Sequence, residues 1–521
     1  MDESSEPYAA VAETHSAVVF FAGDRAYKLK KPVRTGFLDF STCEARAAAC
    51  GREYELNARF APDVYLGVAT VSDASGAACD HLVVMRRMPA ARRLSALVAR
   101  GEPAGAQLRQ VARILAAQHA AAPRGPQISA LGDRAALAGR WRDNVSQARQ
   151  LADGLIDGAV IGEVARLAGR FLDGREPLLR ARIEDGRIVD GHGDLLADDI
   201  FCLGDGPRIL DCLEFDDALR WLDGLDDAAC LAMDLERLGA AGLAARFFGW
   251  YAEYSGDPAP DSLRHHYVAY RAFMRAKVGC IRARQGDQAA AAEADRLAGL
   301  ALAHLRAGAV TLALVGGLPG TGKSALAGTL AGRLGWTVLS SDLVRKELAG
   351  LGGETRAPAG YGAGIYTPQW TGRTYDELLR RAAGLLAMGE SVLIDATWNS
   401  AAHRAAAAAA AALGHADLVQ LRCAARADVA ARRIGARAGG ASDADAEIAR
   451  RMATDQDPWP EAVRLDAGDG GQHDDGQHED GGQHDDGGQH GDGGQHGGWP
   501  EEAIGLALGA LRPHAPGPGS G

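Results

Sequence analysis

The sequence predicts two domains of different class: an α+β domain over residues 1–300, and an α/β domain with a parallel sheet over 308–466, completed by a closing helix at 499–513. Three observations carry this. Residues 17–30 read as two strands joined by a Gly-Asp turn, ahead of a helix at 41–58 and a further strand at 81–86. From Val310 onward, apolar runs ending in an acid alternate with helical stretches, as strands of a parallel sheet alternate with the helices that cover them. Between the two, Gln288 to Arg306 reads as a long Ala-rich amphipathic helix, and Gly308 is its stop.

At 521 residues the chain has length for two or three domains with a buried core in each. Its eight cysteines, at 43, 50, 79, 202, 212, 230, 280 and 423, include no Cys-x-x-Cys pair, which points to reduced thiols rather than disulfides or zinc. The opening Met-Asp-Glu-Ser-Ser-Glu is acidic where a signal peptide is basic, and no apolar run could span a bilayer. A soluble, cytoplasmic protein with no membrane partner is expected. The formal charge is −12, but eight of the acids lie between Asp469 and Asp492, leaving −4 for the rest. The folded part has no basic bias of the kind that stable nucleic-acid binding uses. No motif specifies an oligomeric state.

Only six lysines occur, at 28, 30, 31, 277, 323 and 346, among 56 Lys plus Arg. Each marks a place where a compact ammonium on a flexible stem can do what a planar guanidinium cannot. In the first hairpin, strand alternation puts Lys28 and Lys30 on one face and Tyr27 and Leu29 on the other. The helix that follows carries Glu44, Glu53 and Glu55, and the strand His81-Leu-Val-Val-Met-Arg86 comes next. Further on stand Ile188-Val-Asp-Gly-His-Gly-Asp-Leu-Leu-Ala-Asp-Asp-Ile200 and Arg208-Ile-Leu-Asp-Cys-Leu-Glu-Phe-Asp216. The helical stretch Tyr267 to Lys277 sets Arg271 and Arg275 on one face at i, i+4 spacing.

With these segments, residues 10 to 285 resemble the aminoglycoside phosphotransferase group of the kinase-like superfamily, whose catalytic loop reads His-Gly-Asp and is followed by an Ile-Asp-x-x-Glu strand. The resemblance implies a bilobal kinase-like fold, ATP between the lobes and transfer of its γ-phosphoryl group to a hydroxyl. Asp194 would then be the base that orients the acceptor and Asp211 a Mg²⁺ ligand, two acids on neighbouring loops serving nucleophile and metal separately. Lys28 would contact the phosphates, with Lys30 as the alternate and Glu53 as the ion-pair partner. Met85 to Met88 would lie at the hinge against adenine, and Asp227 would brace the catalytic loop. Where the family has a metal-binding asparagine this chain has Asp199, which keeps an oxygen donor but adds charge. Arg271 and Arg275 would line the acceptor pocket and suit an anionic acceptor better than a polycationic drug. A helix paired to surface acids is the other reading of those two arginines.

In the second domain the apolar run Val310 to Val315 leads into Gly317-Leu318-Pro319-Gly320-Thr321-Gly322-Lys323-Ser324 and a helix beginning near Ser324. This is a P-loop in its required context: glycines turn successive N–H groups into one concavity, and the helix N-terminus adds its positive dipole end. Lys323 would contact the β and γ phosphates of ATP and Ser324 would ligate Mg²⁺. Trp336 to Asp342 reads as a buried strand ending in an acid, and Glu390 to Asp395 as another. These features resemble the small P-loop kinases of the gluconate kinase, polynucleotide kinase and zeta-toxin type, over residues 310 to 440. The resemblance implies Asp342 as the base, Arg345 as a contact to the acceptor or its phosphate, Asp395 in the Walker B role on magnesium, and a lid helix closing Arg432, Arg433 and Arg437 over the phosphates. Asp457-Pro-Trp-Pro460 reads as a brace at the domain edge.

Residues 467–498 repeat Gly-Gly-Gln-His-Asp-Asp with drift, placing His473, His478, His484, His490 and His496 five or six residues apart. So polar and Gly-rich a run is expected to be disordered. It reads either as a weak Zn²⁺ or Ni²⁺ binder or as repeat expansion in a surface insertion. The pairing of the two domains resembles bacterial proteins that fuse an aminoglycoside-phosphotransferase-like domain to a P-loop ATP-binding kinase domain. It implies an ATP- and Mg²⁺-dependent phosphotransferase acting on small hydroxylated molecules. Two rivals stand beside it: a signalling module with one silent domain, and a nucleotide or nucleic-acid kinase of the zeta-toxin type that uses the P-loop half alone.

Overall fold

The computed structural model describes all residues except 1–6, 15, 35–38, 153, 354, 356, 358–359, 437–444, 469–498 and 512–521. The chain divides into two compact units, Met1–Gly308 and Ala309–Gly521.

The first unit opens with a five-stranded antiparallel sheet of β1 (Ala9–Glu13), β2 (Ala17–Ala22), β3 (Arg25–Lys30), β4 (Tyr65–Ser72) and β5 (Ala78–Arg86), in the order β1-β2-β3-β5-β4. The β2–β3 turn is tight because Gly23 takes φ +59°, a conformation that costs glycine nothing. β1 was not legible in the sequence, because its small residues alternate weakly. The helix Cys43–Ala58 starts where the Thr42 hydroxyl accepts the Ala45 N–H at 3.1 Å, and buries Arg46, Cys50, Glu53 and Asn57 along one face. That face puts Glu53 against the sheet. A helical part follows, whose core joins Gly105–Ala121, Arg134–Leu151, Gly158–Gly174, Gly224–Arg237, Ala241–Ser255, Asp261–Arg284 and Gln288–Ala307. Between its helices lie two small hairpins, β6 (Ile188–Asp190) with β9 (Trp221–Asp223), and β7 (Ile200–Leu203) with β8 (Gly206–Ile209). An antiparallel sheet with one long helix beside a mainly helical part is the bilobal α+β kinase-like class.

The second unit is a parallel sheet, β10 (Thr311–Gly316), β11 (Thr337–Ser340), β12 (Val392–Asp395), β13 (Asp417–Ala424) and β14 (Val463–Asp466), in the order β11-β12-β10-β13-β14. β10 and β12 are buried along their whole length, as expected of central strands covered by helices on both faces. Leu312, Leu314 and Ile394 pack into one core cluster, and Ala313, Val315 and Leu393 into the other. This is the α/β P-loop class. One strand departs from expectation: β11 is half-exposed rather than buried, because it forms the sheet edge, and Asp342 falls in the first turn of the helix Ser341–Leu348 rather than at a strand end. Trp459 of the Asp-Pro-Trp-Pro segment is buried, donates its indole N–H to Gln420 Oε1 at 2.7 Å, and lies so close to Gly316 that a Cβ there would meet its ring at 2.4 Å.

The helix Glu501–Leu511 packs Ile504, Ala507 and Leu511 into the core with the P-loop helix Lys323–Leu334. The His-rich repeat lies outside the described residues apart from its edge. Its described flanks meet: a Cβ built on Gly468 would lie 3.2 Å from Pro500 Cγ. Replacing 469–498 by a Gly-Ser linker of about six residues should therefore leave the melting temperature unchanged or slightly higher, since each halving of a loop lowers its closure cost by about 0.6 kcal/mol. A drop of several degrees in calorimetry would show that the segment packs.

Candidate phosphate and acceptor sites

In the first unit the site is built around one carboxylate. Glu53 has no exposed surface, and each of its oxygens meets an ammonium: Oε1 lies 2.8 Å from Lys28 Nζ and Oε2 lies 2.6 Å from Lys30 Nζ. Lys28 also reaches Asp211 Oδ1 at 2.8 Å, and Lys30 pairs with Glu214. Burial opposes the charge on Lys28, but Asp211, Glu53 and Glu214 outweigh it and hold the ammonium well above the usual lysine range. Lys28 in turn holds the Asp211 carboxyl down at about 2. Lys30 is 2 % exposed against 17 % for Lys28, so Lys28 is the one that a phosphate could reach.

Asp211 sits at φ +63°, a strained conformation for a residue with a side chain. Its N–H donates to the Tyr65 hydroxyl at 3.2 Å, and the next N–H, of Cys212, donates to Asn57 Oδ1 at 2.8 Å. The sequence alone assigns no role to Asn57, Tyr65 or Glu214, although Glu214 stands at Asp-x-x-Glu spacing from Asp211.

The loop that carries Asp194 is clamped from both sides. Asp227 Oδ2 accepts the His192 N–H at 2.6 Å, and its Oδ1 accepts the Gly193 N–H at 2.9 Å. Burial works against the Asp227 charge, yet His119, 3.0 Å from Oδ2, and these N–H groups hold its carboxyl far below the usual range. Burial pushes the His192 imidazole below its usual range, and its Nε2 meets the Leu210 carbonyl at 2.9 Å, tying the loop to the strand end before Asp211. Arg271 is placed differently from the expectation that it lines an acceptor pocket. It is buried, donates to Asp226 Oδ1 and to the Gly193 carbonyl, each at 2.7 Å, and so holds backbone. Arg275, one turn on, lies 3.5 Å from Asp194 Oδ1. Asp199 is half-buried, and desolvation, then Asp211 and Asp194, push its carboxyl well above the usual range.

In the second unit the glycine loop is a backbone cradle. Gly317, Gly320 and Gly322 take φ +148°, +82° and +86°. A Cβ at Gly317 would meet the Cys423 carbonyl at 2.6 Å, and one at Gly320 the Ala430 carbonyl at 2.5 Å, so neither position has room for a side chain. Thr321 folds back, its hydroxyl donating to the Leu318 carbonyl at 2.8 Å. Lys323 is buried at the helix start and Ser324 beside it is exposed. Asp395, at the end of β12, is paired in register with Val315 on one side and Ser340 on the other.

A cavity of about 470 Å³ adjoins this loop and brings together Pro319, Lys323, Asp342 and Arg345. Arg345 is buried, donates to the Ile365 carbonyl at 2.9 Å, and lies over the Tyr366 ring at 5.0 Å. Among the described residues its Nε has no hydrogen-bond partner, and burial lowers the arginine below its usual range. Tyr375 and His403, stacked at 4.0 Å, form another wall with Asn399. They come from separate helices and a loop, with no motif to announce them. The helix Ala427–Gly435 carries Arg432, which lies 3.8 Å from Asp428, and Arg433, whose guanidinium donates to the Gly468 carbonyl at 3.1 Å. Arg437 lies outside the described residues.

The glycine cradle, which a Cβ would fill, fits phosphate oxygens. The acids and hydroxyl around the two sites are hard oxygen donors of the kind Mg²⁺ takes. Among the described residues no cluster of three His, Cys, Asp or Glu could hold a metal by itself.

The fold and these sites define a protein that joins a kinase-like domain to a P-loop domain. A family model described as an AAA domain matches residues 312–458. The chain is 48% identical over 463 residues to the uncharacterized protein Rv2004c of Mycobacterium tuberculosis, covering 89% of this chain and 93% of that one, and it belongs to the same family. Among solved structures, a choline/ethanolamine kinase family protein from Mesorhizobium loti matches with TM-score 0.37 and 17% identity, over 58% of this chain and 94% of that one. The GDP complex of wild-type aminoglycoside 2′-phosphotransferase-IIIa matches with TM-score 0.34 and 16% identity, over 58% and 94%. No helix among the described residues is long and apolar enough to cross a membrane.

Asp199 makes a stability prediction with a definite sign. A free aspartate ionises near pH 4, at about 3.9, whereas the folded protein retains this proton to higher pH, so Asp199 costs stability progressively as pH rises above that value. Asp199→Asn should raise the melting temperature of the nucleotide-free protein in EDTA at about pH 8 and leave it unchanged at about pH 4. Equal melting temperatures for the two proteins at both pH values would mean that the carboxylate is solvated.

Proposed function

We propose that the protein is an ATP-dependent phosphotransferase with two nucleotide sites, each transferring a γ-phosphoryl group to a hydroxyl of a small molecule in the cytoplasm. The observation that carries this is the meeting of Lys323, Asp342 and Arg345 around one cavity beside the glycine loop. Its volume of about 470 Å³ suits a metabolite better than a polynucleotide.

Each domain would work by positioning and charge neutralisation. In the second, the N–H groups of Gly317 to Ser324 and the Lys323 ammonium hold the phosphates. Asp342 takes the acceptor proton as the bond from acceptor oxygen to γ-phosphorus forms and the bond from γ-phosphorus to the ADP oxygen breaks. Arg345, with a donor still unused, faces an anionic group of the acceptor, and Arg433 closes over the phosphates. In the first, Lys28 holds phosphate, Glu53 holds Lys28, and Asp194 takes the acceptor proton, with Arg275 beside the acceptor. Asp211 with Asp199, and Ser324 with Asp395, would hold Mg²⁺, which would offset the charge of the phosphates.

Calorimetric titration of the full chain with a non-hydrolysable ATP analogue should find two sites, one of which disappears in Lys323→Ala. In a screen of metabolite extract with labelled ATP, Asp194→Asn and Asp342→Asn should each remove a different labelled product, by roughly 10²-fold or more, the usual worth of a positioned general base. Two intact sites in Lys323→Ala would refute the glycine-loop assignment. A product unaffected by Asp194→Asn would make the first domain a silent nucleotide binder.

A further inference from the structure

The glycine loop is held by a residue far outside its motif. Trp499 is buried, and its indole N–H donates to the Gly322 carbonyl at 3.0 Å. The same carbonyl accepts the Leu326 N–H at 3.0 Å, the first bond of the helix Lys323–Leu334. One oxygen therefore serves two donors. The peptide unit to which it belongs is Gly322–Lys323, and the N–H of that unit belongs to Lys323, at the helix start, where N–H groups have no acceptor within the helix.

Hydrogen bonding at a carbonyl draws electron density from the nitrogen of the same peptide and strengthens its N–H as a donor. The ordinary helical bond does this in any helix; here an indole adds to it. The contact is also steric, because a Cβ at Gly322 would lie 3.2 Å from Trp499 Nε1. Glycine at this position thus answers both its left-handed φ and the approach of the indole. Trp499 is anchored by more than this bond: the adjoining helix Glu501–Leu511 shares the core with Leu326, Ala327 and Leu330 of the helix that continues the loop, and Glu501 pairs with Arg333 at 2.6 Å.

The geometry points to Trp499 as a positioning residue of the nucleotide site, one that fixes and polarises the peptide offering the Lys323 N–H to phosphate. This rests on the reading of the glycine loop as a nucleotide site. It assigns the chain after the His-rich repeat a part in phosphate binding, beyond completing the fold.

The test uses the full chain and the titration component that Lys323→Ala removes. Trp499→Phe keeps an aromatic ring and removes only the N–H donor. It should weaken MgADP at that component by about fivefold, the usual worth of one neutral hydrogen bond, while AMP affinity stays the same. A purely structural role would instead lower both affinities together with the melting temperature. In protein labelled with 5-fluorotryptophan, the ¹⁹F resonance missing from Trp499→Phe should move on adding MgADP to the parent and stay still in Lys323→Ala. Unchanged MgADP affinity in Trp499→Phe, or a resonance indifferent to MgADP, would overturn the proposal even with the Lys323 result intact. If Lys323→Ala removes no component at all, the nucleotide-site reading itself fails.

Discussion

A carboxylate without exposed surface, shared by two ammonium groups, fixes the amino-terminal site. Glu53 belongs to the helix beside the sheet, Lys28 and Lys30 to β3, and Asp211 and Glu214 to the segment after β8. Five charges from three parts of the chain are thus tied in one chain of contacts, in which the sheet, its helix and the acid-bearing loop can be placed only together. Removing Glu53, the member with no exposed surface, would leave the Lys28 and Lys30 ammonium groups without their buried partner, which typically costs about 3–5 kcal/mol. The arrangement therefore does more than hold Lys28 in place. It also gives Asp211 a counter-charge and helps keep the strained backbone at that residue in place.

The carboxy-terminal site meets the same need, donors fixed before an anion arrives, with backbone in place of side chains. Its glycines are set by φ and by neighbours that leave no room for a Cβ, at Cys423 and Ala430. Its cation comes as a single lysine at a helix start, and its acids stand on the adjoining strand end and helix turn. Neither solution borrows from the other. A cradle of side-chain charges is sensitive to what is buried around it, whereas a cradle of peptides is sensitive to what fills the space behind it.

Both fold classes were legible because the signals were local. The glycine loop, the His-Gly-Asp segment and the apolar runs each occupy a few consecutive residues, and the scarcity of lysine drew attention to Lys28, Lys30 and Lys323. The same scarcity also pointed at lysines with other work: Lys346 donates to the Gly353 carbonyl and Lys277 to Asn144. The edge position of β11 was not legible, since strand order depends on which crossovers the whole sheet makes. Tyr375, His403 and Trp499 were invisible for a related reason. They reach the second site from distant elements, and no spacing rule connects an indole at 499 with a carbonyl at 322.

Arg271 and Arg275 show how far a correct local reading can mislead. They do share a helix face, as i, i+4 spacing requires, yet one holds backbone and the other stands beside the carboxylate of Asp194. The difference lies in what each guanidinium meets. Arg271 finds Asp226, whose neighbour Asp227 holds the N–H groups of His192 and Gly193. Adjacent acids thereby grip the residue before Asp194 through opposite groups, Asp227 by its N–H directly and Asp226 by its carbonyl through Arg271. Fixing Gly193 in this way limits where Asp194 can go, as the proposed role of a base that meets an acceptor hydroxyl in one geometry requires. Arg275 is then the arginine of the pair left near that carboxylate, one cation where the helix pattern offered two.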